Sequence, residues 1–131
     1  MDRLFLDANV LFSAAYRVQA GIMRLWELKN VELITSSYAA EEAAVNLLEE
    51  GQWRRFEGLL SSVEVVLGHA PLPPEVELPE KDRPILQAAL YAEARHLLTG
   101  DKQHFGRYYG KKLGGVLVLS PAQYFERSSR V

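Results

Sequence analysis

Two aspartates follow apolar runs of the sequence at the point where each run ends. Asp7 follows Leu4-Phe5-Leu6, and Asp101 follows the run that begins at His96 and passes through Thr99-Gly100. An acid at the end of a buried strand is held on a rigid element, and helices that begin nearby can surround it. Two such aspartates, one near each end of the chain, favour a metal site more strongly than either does alone.

Further acids could share this site. Glu42, with its neighbour Glu41, lies in the first turns of a helix that we predict after the second strand, and Asp82 begins the helix that leads towards Asp101. Carboxylates that lie close together repel, so a cluster of three or four needs a compensating cation. Because the chain has no cysteine and carboxylates are hard oxygen ligands, the expected ion is Mg²⁺ or Mn²⁺. These ions act on phosphates by activating a water or by stabilising the leaving oxygen.

Each of these acids also has a purely structural interpretation. Asp7 and Asp82 could cap the helices that follow them, and Asp101 could be a turn residue after a glycine. Glu41 and Glu42 could be solvated helix residues. No single acid is specific, so the prediction depends on the whole set.

Other kinds of catalytic site have little support. His104 lies three residues beyond Asp101 and could face the site, but a structural or surface role is the expected one. The serines have no histidine at a recognisable motif spacing, which argues against a hydrolytic triad. Gly114-Gly115 is a turn and not a phosphate-binding loop, and the lack of cysteine excludes disulfides, thiolate zinc sites and cysteine nucleophiles.

Length and composition predict one domain over residues 1–131, with a hydrophobic fraction of 48% and a charged fraction of 24% that are ordinary for a globular protein. No apolar stretch reaches the roughly 18 residues of a membrane span, and Asp2 and Asp7 interrupt the only apolar run near the N-terminus. We therefore expect a cytoplasmic protein that does not contact a membrane.

A net charge of −2 argues against a surface that binds nucleic acid everywhere, but it allows a local basic strip beside an acidic pocket. The candidates for RNA contacts in such a strip are Arg54, Arg55, Arg107, Lys111 and Lys112. The alternative is that each is a solvated surface charge.

Hydrophobic periodicity predicts strands that alternate with helices along the whole chain. The predicted strands are residues 3–7, 31–35, 63–67, 96–99 and 116–119. The strands read as continuous apolar runs, which is typical of parallel strands covered on both faces. We therefore predict a three-layer α/β/α sandwich with a mainly parallel, five-stranded, Rossmann-like sheet, and a site at the carboxyl ends of its strands.

The helical segments raise three specific expectations. Residues 9–30 should form two helices separated at Gly21, and the helix after the second strand, capped by Ser36 or Ser37, should end at Gly51. Asp82 should reach the same edge of the sheet as Asp7 only if the proline-rich loop of residues 68–80 crosses back over the sheet.

Four segments resemble the motifs of PIN domains, in order and over essentially the whole chain. They are Leu6-Asp7-Ala8-Asn9-Val10-Leu11, Thr35-Ser36-Ser37-Tyr38-Ala39-Ala40-Glu41-Glu42-Ala43 with Asn46-Leu47, Leu98-Thr99-Gly100-Asp101-Lys102-Gln103-His104-Phe105, and Leu119-Ser120-Pro121-Ala122. The third segment is the most specific. PIN domains are metal-dependent nucleases that usually act on RNA, and many are the toxin half of VapBC-type toxin–antitoxin pairs.

The resemblance implies roles for individual residues. The catalytic acidic pocket would consist of Asp7, Glu42, Asp82 and Asp101. Three of these, Asp7, Glu42 and Asp101, would hold Mg²⁺ or Mn²⁺. Asp82 would hold a second ion or position the attacking water. Asn9 and Thr99 would orient these groups. Many relatives carry another acid where this chain has Gln103, and this difference could weaken a second metal site.

The resemblance also implies an RNA substrate, a cognate antitoxin protein and a homodimer, for which the apolar helices at 11–28 or 52–60 could supply the contact. A catalytically inactive PIN-fold module that binds RNA or protein is the alternative. A phosphatase with Asp7 as nucleophile is less well supported, because such sites usually place an acid where this chain has Asn9.

Overall fold

The computed structural model describes residues 1–128 as a six-stranded sheet between two layers of helices. The strands are β1 (Asp2–Leu6), β2 (Val31–Ser36), β3 (Glu64–Val66), β4 (His96–Leu98), β5 (Lys112–Leu113) and β6 (Val116–Leu119). The α-helices are α1 (Ala8–Tyr16), α2 (Ser37–Val45), α3 (Glu50–Leu60), α4 (Arg83–Tyr91), α5 (Lys102–Phe105) and α6 (Pro121–Ser128). The predicted domain extends three residues beyond the described part of the chain.

The sheet has the strand order β3-β2-β1-β4-β6-β5, and every pair is parallel except β5 with β6. The predicted mainly parallel α/β architecture is confirmed, but the predicted count of five strands is wrong. The additional strand β5 has only two residues. Gly114 and Gly115, with φ of +58° and +91°, turn the chain back on itself between β5 and β6. A two-residue hairpin turn with positive φ at both positions suits glycine, and this hairpin adds the antiparallel edge strand.

Alternate residues of the central strands face opposite helical layers, so both faces of the sheet are buried. Phe5 and Leu97 pack with Ile85 of α4 on one face. Leu4 and Leu6 pack with residues of α1, α3 and α6 on the other face. Burial of each such side chain contributes about 1.5–3 kcal/mol, which explains why β1 and β4 are rigid enough to fix the residues that follow them.

Two predicted helices differ from the observed ones. The second half of residues 9–30 is a 3₁₀ segment, Gly21–Glu27, instead of an α-helix. The helix after β2 ends at Val45, and Gly51 lies in the first turn of α3 instead of ending α2. The reason is local: the side-chain oxygen of Gln52 accepts hydrogen bonds from the backbone N–H groups of Leu48 and Glu49, which starts a new helix there.

The helices begin where the functional residues were expected. β1, β2 and β4 are neighbours in the sheet, so α1, α2 and α5, which follow them, all begin at one edge. Ser36 caps α2, since its hydroxyl oxygen accepts a hydrogen bond from the Ala39 N–H at 3.1 Å. Within residues 1–128, none of the helices has both the length and the apolar character that a bilayer crossing requires.

Candidate functional site

A cavity of about 470 Å³ lies at the carboxyl ends of the central strands. It is lined by Asp7, Ala8, Asn9, Phe12, Glu42, Ala43, Val45, Asn46, Asp82 and Asp101. All four acids of the predicted pocket therefore lie around one space. Glu41 is exposed and does not line the cavity, so the geometry separates it from Glu42. Asp82 lies at this edge, and the proline-rich loop before it packs against α4, where the Ala70 N–H donates to the Gln87 carbonyl at 2.9 Å.

Asp7 is almost fully buried, and both of its carboxylate oxygens accept hydrogen bonds. Oδ1 accepts from the N–H of Ala8 at 2.6 Å, and Oδ2 accepts from the Thr99 hydroxyl at 2.7 Å and the Asn9 amide at 3.2 Å. Burial raises the pKa of Asp7 to about 6 although the hydrogen bonds from Thr99 and Ala8 lower it. The negative charges of the neighbouring acids raise it further. The Asp7 side chain therefore caps α1 and also lines the cavity.

Asn9 and Thr99 hold the two strand ends together. The side-chain oxygen of Asn9 accepts from the Gly100 N–H at 2.7 Å, and the Thr99 hydroxyl oxygen accepts from the Asp101 N–H at 3.1 Å. The hydroxyl of Tyr109 donates to the Thr99 carbonyl at 2.7 Å. Asn9 and Thr99, which the resemblance marks as orienting residues, therefore contact both Asp7 and the loop that carries Asp101.

Asp101, His104 and Asp82 form a second group at the cavity. Asp101 caps α5, accepting from the His104 N–H at 3.1 Å, and His104 Nδ1 donates to Asp101 Oδ2 at 2.8 Å. The same Nδ1 lies 3.0 Å from Asp82 Oδ2, but a single N–H is already engaged by Asp101. Asp82 Oδ2 is buried and has no hydrogen-bond partner among residues 1–128. Ligand atoms of these three residues lie within 4.8 Å of one another, so they could bind a metal ion.

Asp82 does not act as a helix cap. It stands at the N-cap position of α4, but its side chain makes no capping hydrogen bond. Burial raises the pKa of Asp82, as does the charge of Asp101, whereas His104 and Lys81 lower it. The interpretation of Asp82 as a helix cap is therefore not supported by a capping hydrogen bond.

Glu42 is half-buried beside Asp82. Burial raises the pKa of Glu42, and the charge of Asp82 raises it further, whereas Lys81 and Tyr38 lower it. The Tyr38 hydroxyl donates to the carbonyl oxygen of Lys81 at 2.7 Å and so joins α2 to the turn that carries Asp82. The pKa values of Asp7, Glu42 and Asp82 are all raised, in each case mainly by burial and in part by the negative charge of neighbouring acids.

Sequence reasoning undervalued His104 and did not select several residues that line the cavity beside the acids. His104 was expected to have a structural or surface role, yet it touches two of the acids. Its spacing of three residues from an aspartate that could begin a helix was the available signal. Phe12, Val45 and Asn46 line the cavity without any sequence signal that distinguishes them from ordinary helix residues.

The five basic residues expected to contact RNA do not form one strip. Arg54 pairs with Glu50 at 2.7 Å, and Arg107 lies 3.4 Å from Glu77. Arg55 donates from Nε to the carbonyl of Ala15 and from a terminal nitrogen to that of Tyr16, at 3.0 and 3.1 Å. Arg54 and Arg55 belong to the helix that precedes the edge strand β3. Lys111 and Lys112 lie at the opposite edge, by β5.

No protein-family model matches the sequence, and no curated protein matches it significantly. Among solved structures, the chain is similar to one from the crystal structure of VapBC2 from Rickettsia felis bound to a DNA fragment from their promoter. The TM-score is 0.65 at 16% sequence identity, and the match covers 90% of this chain and 98% of the other. At this identity the likeness shows a shared fold.

Proposed function

We propose that this chain is an endoribonuclease that hydrolyses RNA phosphodiester bonds with the help of Mg²⁺ or Mn²⁺. The observation that carries the proposal is the convergence of four carboxylates on one cavity, where one buried Asp82 oxygen has no hydrogen bond from any residue of the described part, 1–128. The fold shared with a VapBC2 structure and the resemblance to PIN domains support it.

The residues around the cavity fit a hard divalent cation. They offer only oxygen donors and one imidazole, which suit Mg²⁺ or Mn²⁺ and exclude a thiolate site. Among residues 1–128, no lysine or arginine lines the cavity, and the only lysine whose charge lowers the pKa values of Glu42 and Asp82 is Lys81, outside the lining. Burial is the main cause of the raised pKa values of Asp7, Glu42 and Asp82, and a cation would relieve both this burial of charge and the repulsion between the acids that adds to it.

In this proposal Asp7, Glu42 and Asp101 hold the ion, and Asp82 holds a second ion or positions the attacking water. When bound, the ion supplies positive charge to the phosphate and lowers the pKa of a bound water. Thr99 and Asn9 fix the orientation of the Asp7 carboxylate through their hydrogen bonds. With its raised pKa, Asp82 is suited to accept a proton from the attacking water.

We propose further that the chain is the toxin component of a VapBC-type pair that acts in the cytoplasm as a single domain and a homodimer. The partner would be a cognate antitoxin protein. The support is the resemblance of the sequence to such toxins and the similarity of the fold to a VapBC2 structure.

The direct test compares variants at three acids, two that line the cavity and one that does not. The protein is incubated with a panel of structured and single-stranded RNAs and Mn²⁺, and cleavage is followed by gel electrophoresis. Asp7→Asn and Glu42→Gln should abolish cleavage, whereas Glu41→Gln, whose side chain lies outside the cavity, should cleave like the parent. Equal cleavage by the parent and Asp7→Asn would reveal a contaminating nuclease and overturn the proposal.

The inactive module that binds RNA or protein makes a different prediction. Gln103, which replaces an acid of many relatives, is exposed and does not line the cavity, so the four acids are intact without it. A nuclease should gain thermal stability from Mn²⁺, and Asp101→Asn should lose that gain. RNA binding without cleavage and without a Mn²⁺ response would favour the inactive module.

A further inference from the structure

A second cavity, of about 330 Å³, adjoins the acidic one along α1. Phe12 lines both cavities and forms the wall between them. The second cavity is otherwise lined by residues at the end of α1 and the start of the 3₁₀ segment, including Ser13, Tyr16, Arg17 and Ile22. Tyr16 lies one helical turn beyond Phe12, about 6 Å along the axis. Asn9, Phe12 and Tyr16 lie at helical spacing on one face of α1, so the two cavities are neighbours and one extended strand could contact both.

The second cavity combines aromatic rings with positive charge. The rings of Phe12 and Tyr16 lie 5.2 Å apart between centroids at an angle of 39°, and Tyr16 is 52% exposed. The exposed Arg17 side chain forms no ion pair or hydrogen bond within residues 1–128. An exposed aromatic surface beside an unengaged cation is the combination that holds single-stranded nucleic acid, through base stacking and a phosphate contact.

The C-terminal end of α1 should not repel an anionic ligand. The last carbonyl groups of a helix carry partial negative charge and would repel a phosphate. Here the Arg55 guanidinium donates to the carbonyls of Ala15 and Tyr16, so a cation covers them. Gln52 also donates to the Tyr16 carbonyl, at 3.1 Å. Of the basic residues that the sequence suggested for RNA contact, Arg55 is therefore the one that bonds to the end of α1, although it does not line the cavity itself.

We propose that the second cavity binds an unpaired base of a single-stranded RNA next to the phosphate held at the acidic cavity. Tyr16 and Phe12 stack on the base, and Arg17 contacts its phosphate. The inference rests on the proposed function, because the acidic cavity fixes where the strand is cut. It also supplies what that cavity lacks, since no lysine or arginine among residues 1–128 lines the acidic cavity and the RNA backbone needs cations beside it.

Binding of a defined RNA without cleavage tests this. The probe is a single-stranded RNA of about ten nucleotides that carries one 2-aminopurine, in the presence of Mg²⁺, and the parent protein for these measurements is Asp7→Asn. Tyr16→Leu is compared with Tyr91→Leu, a tyrosine of similar exposure (54%) at the end of α4. Arg17→Gln is compared with Arg95→Gln, an exposed arginine before β4. Circular dichroism checks that each variant is folded.

We expect Tyr16→Leu to weaken RNA binding about tenfold and to reduce the quenching of 2-aminopurine fluorescence, because a stacking partner is lost. The logarithm of the RNA association constant falls as the logarithm of the salt concentration rises. Arg17→Gln should make this slope less steep by roughly 0.7, the value for one phosphate contact on a single strand. The variants Tyr91→Leu and Arg95→Gln should change neither quantity.

Three results would overturn the inference. The first is no measurable RNA binding by the parent, and the second is unchanged affinity and salt slope in both cavity variants. The third is a change in oligomeric state by light scattering for Tyr16→Leu with RNA binding unaffected, which would make the cavity a protein contact. Failure of the proposed function is read separately, from the absence of Asp7-dependent cleavage. If Tyr16→Leu is misfolded, the salt slope of Arg17→Gln decides.

Discussion

The hydroxyl of Thr99 donates a hydrogen bond of 2.7 Å to Oδ2 of Asp7, joining residues 92 positions apart in the chain. The bond is buried and connects the ends of the neighbouring strands β1 and β4. The same hydroxyl oxygen accepts from the Asp101 N–H, so Thr99 links the two strand-end aspartates directly. The relative position of the two acids therefore depends on a neutral side chain between them.

Removal of the Thr99 hydroxyl should change both the free energy of unfolding and the pKa of Asp7. Thr99→Val removes one of the two donors to Asp7 Oδ2 and leaves the Asp101 N–H without its partner. It should lower the free energy of unfolding by about 1–3 kcal/mol. Because the Thr99 hydrogen bond lowers the pKa of Asp7, its loss should raise that pKa above about 6. Mn²⁺ should then bind more weakly at neutral pH, with a smaller deficit at higher pH, by isothermal calorimetry.

Thr35→Val is the matched control for Thr99→Val. Thr35 is equally buried, and its hydroxyl donates to the Leu6 carbonyl at 2.8 Å, not to an acid. This variant should lose about 1 kcal/mol of stability and bind Mn²⁺ normally. Equal losses of Mn²⁺ affinity in both variants would show that Thr99 acts only through general stability.

The stability of the metal-free protein should fall as the pH rises from about 4 to about 6. The pKa of Asp7 is raised from 3.8 to about 6 by burial, so in this window the folded state binds more protons than the unfolded state. The free energy of unfolding should decrease by on the order of 3 kcal/mol across the window, and the loss should be complete above it. Urea unfolding in the presence of a chelator measures this.

Asp7→Asn isolates this contribution, because an amide does not titrate. The difference in unfolding free energy between the parent and the variant should change across the same pH window. A difference that stays constant with pH would mean that Asp7 has an ordinary pKa in the folded protein.

His104 should stabilise the acidic group when no cation is bound. His104→Gln removes the hydrogen bond to Asp101 and the positive influence that lowers the pKa of Asp82, so two carboxylates face each other. We expect a loss of about 1–3 kcal/mol in stability without metal, and a larger rise of the melting temperature on addition of Mn²⁺ than in the parent. Differential scanning fluorimetry with and without Mn²⁺ gives both quantities.

His96→Gln provides the comparison for His104→Gln. His96 Nδ1 lies 3.0 Å from a carboxylate oxygen of Asp2. Both residues begin their strands, β4 and β1, so they lie at the end of the sheet away from the cavity. Its replacement should lower stability and leave the Mn²⁺ response unchanged. If His104→Gln instead abolished the Mn²⁺ response, His104 would be a metal ligand and not a substitute for the cation.

A pair of glycines tests how closely the site is packed. A Cβ at Gly100 would lie 3.2 Å from the side-chain oxygen of Asn9, whereas a Cβ at Gly58 meets nothing within 4 Å. Gly100→Ala should displace Asn9 from Asp7, cost about 1 kcal/mol and weaken Mn²⁺ binding. Gly58→Ala, in the exposed interior of α3, should stabilise the protein by about 0.5–1 kcal/mol. Thermal unfolding of both variants decides, and a stabilising Gly100→Ala would contradict the packing argument.

Much of the architecture follows from local signals in the sequence. Continuous apolar runs such as Leu4-Phe5-Leu6 bury both faces of a strand, and this pattern predicts a parallel sheet covered by helices. The two-residue strand β5 and the end of α2 at Val45 could not be predicted in this way. The first depends on the positive φ values of Gly114 and Gly115, and the second on the hydrogen bonds of Gln52 that start α3. Neither feature alters the hydrophobic pattern.

The sequence by itself determined which acids could converge, because parallel strands bring the residues after their carboxyl ends to one edge. Asp7, Glu42 and Asp101 were identifiable for that reason. Only the tertiary structure decided that Asp82 joins them and that His104 lies between two of them, since a proline-rich loop and a short helix set those positions. The periodicity of hydrophobic residues carries no information on the path of the loop before Asp82 or on the direction of the His104 side chain. Packing decides both.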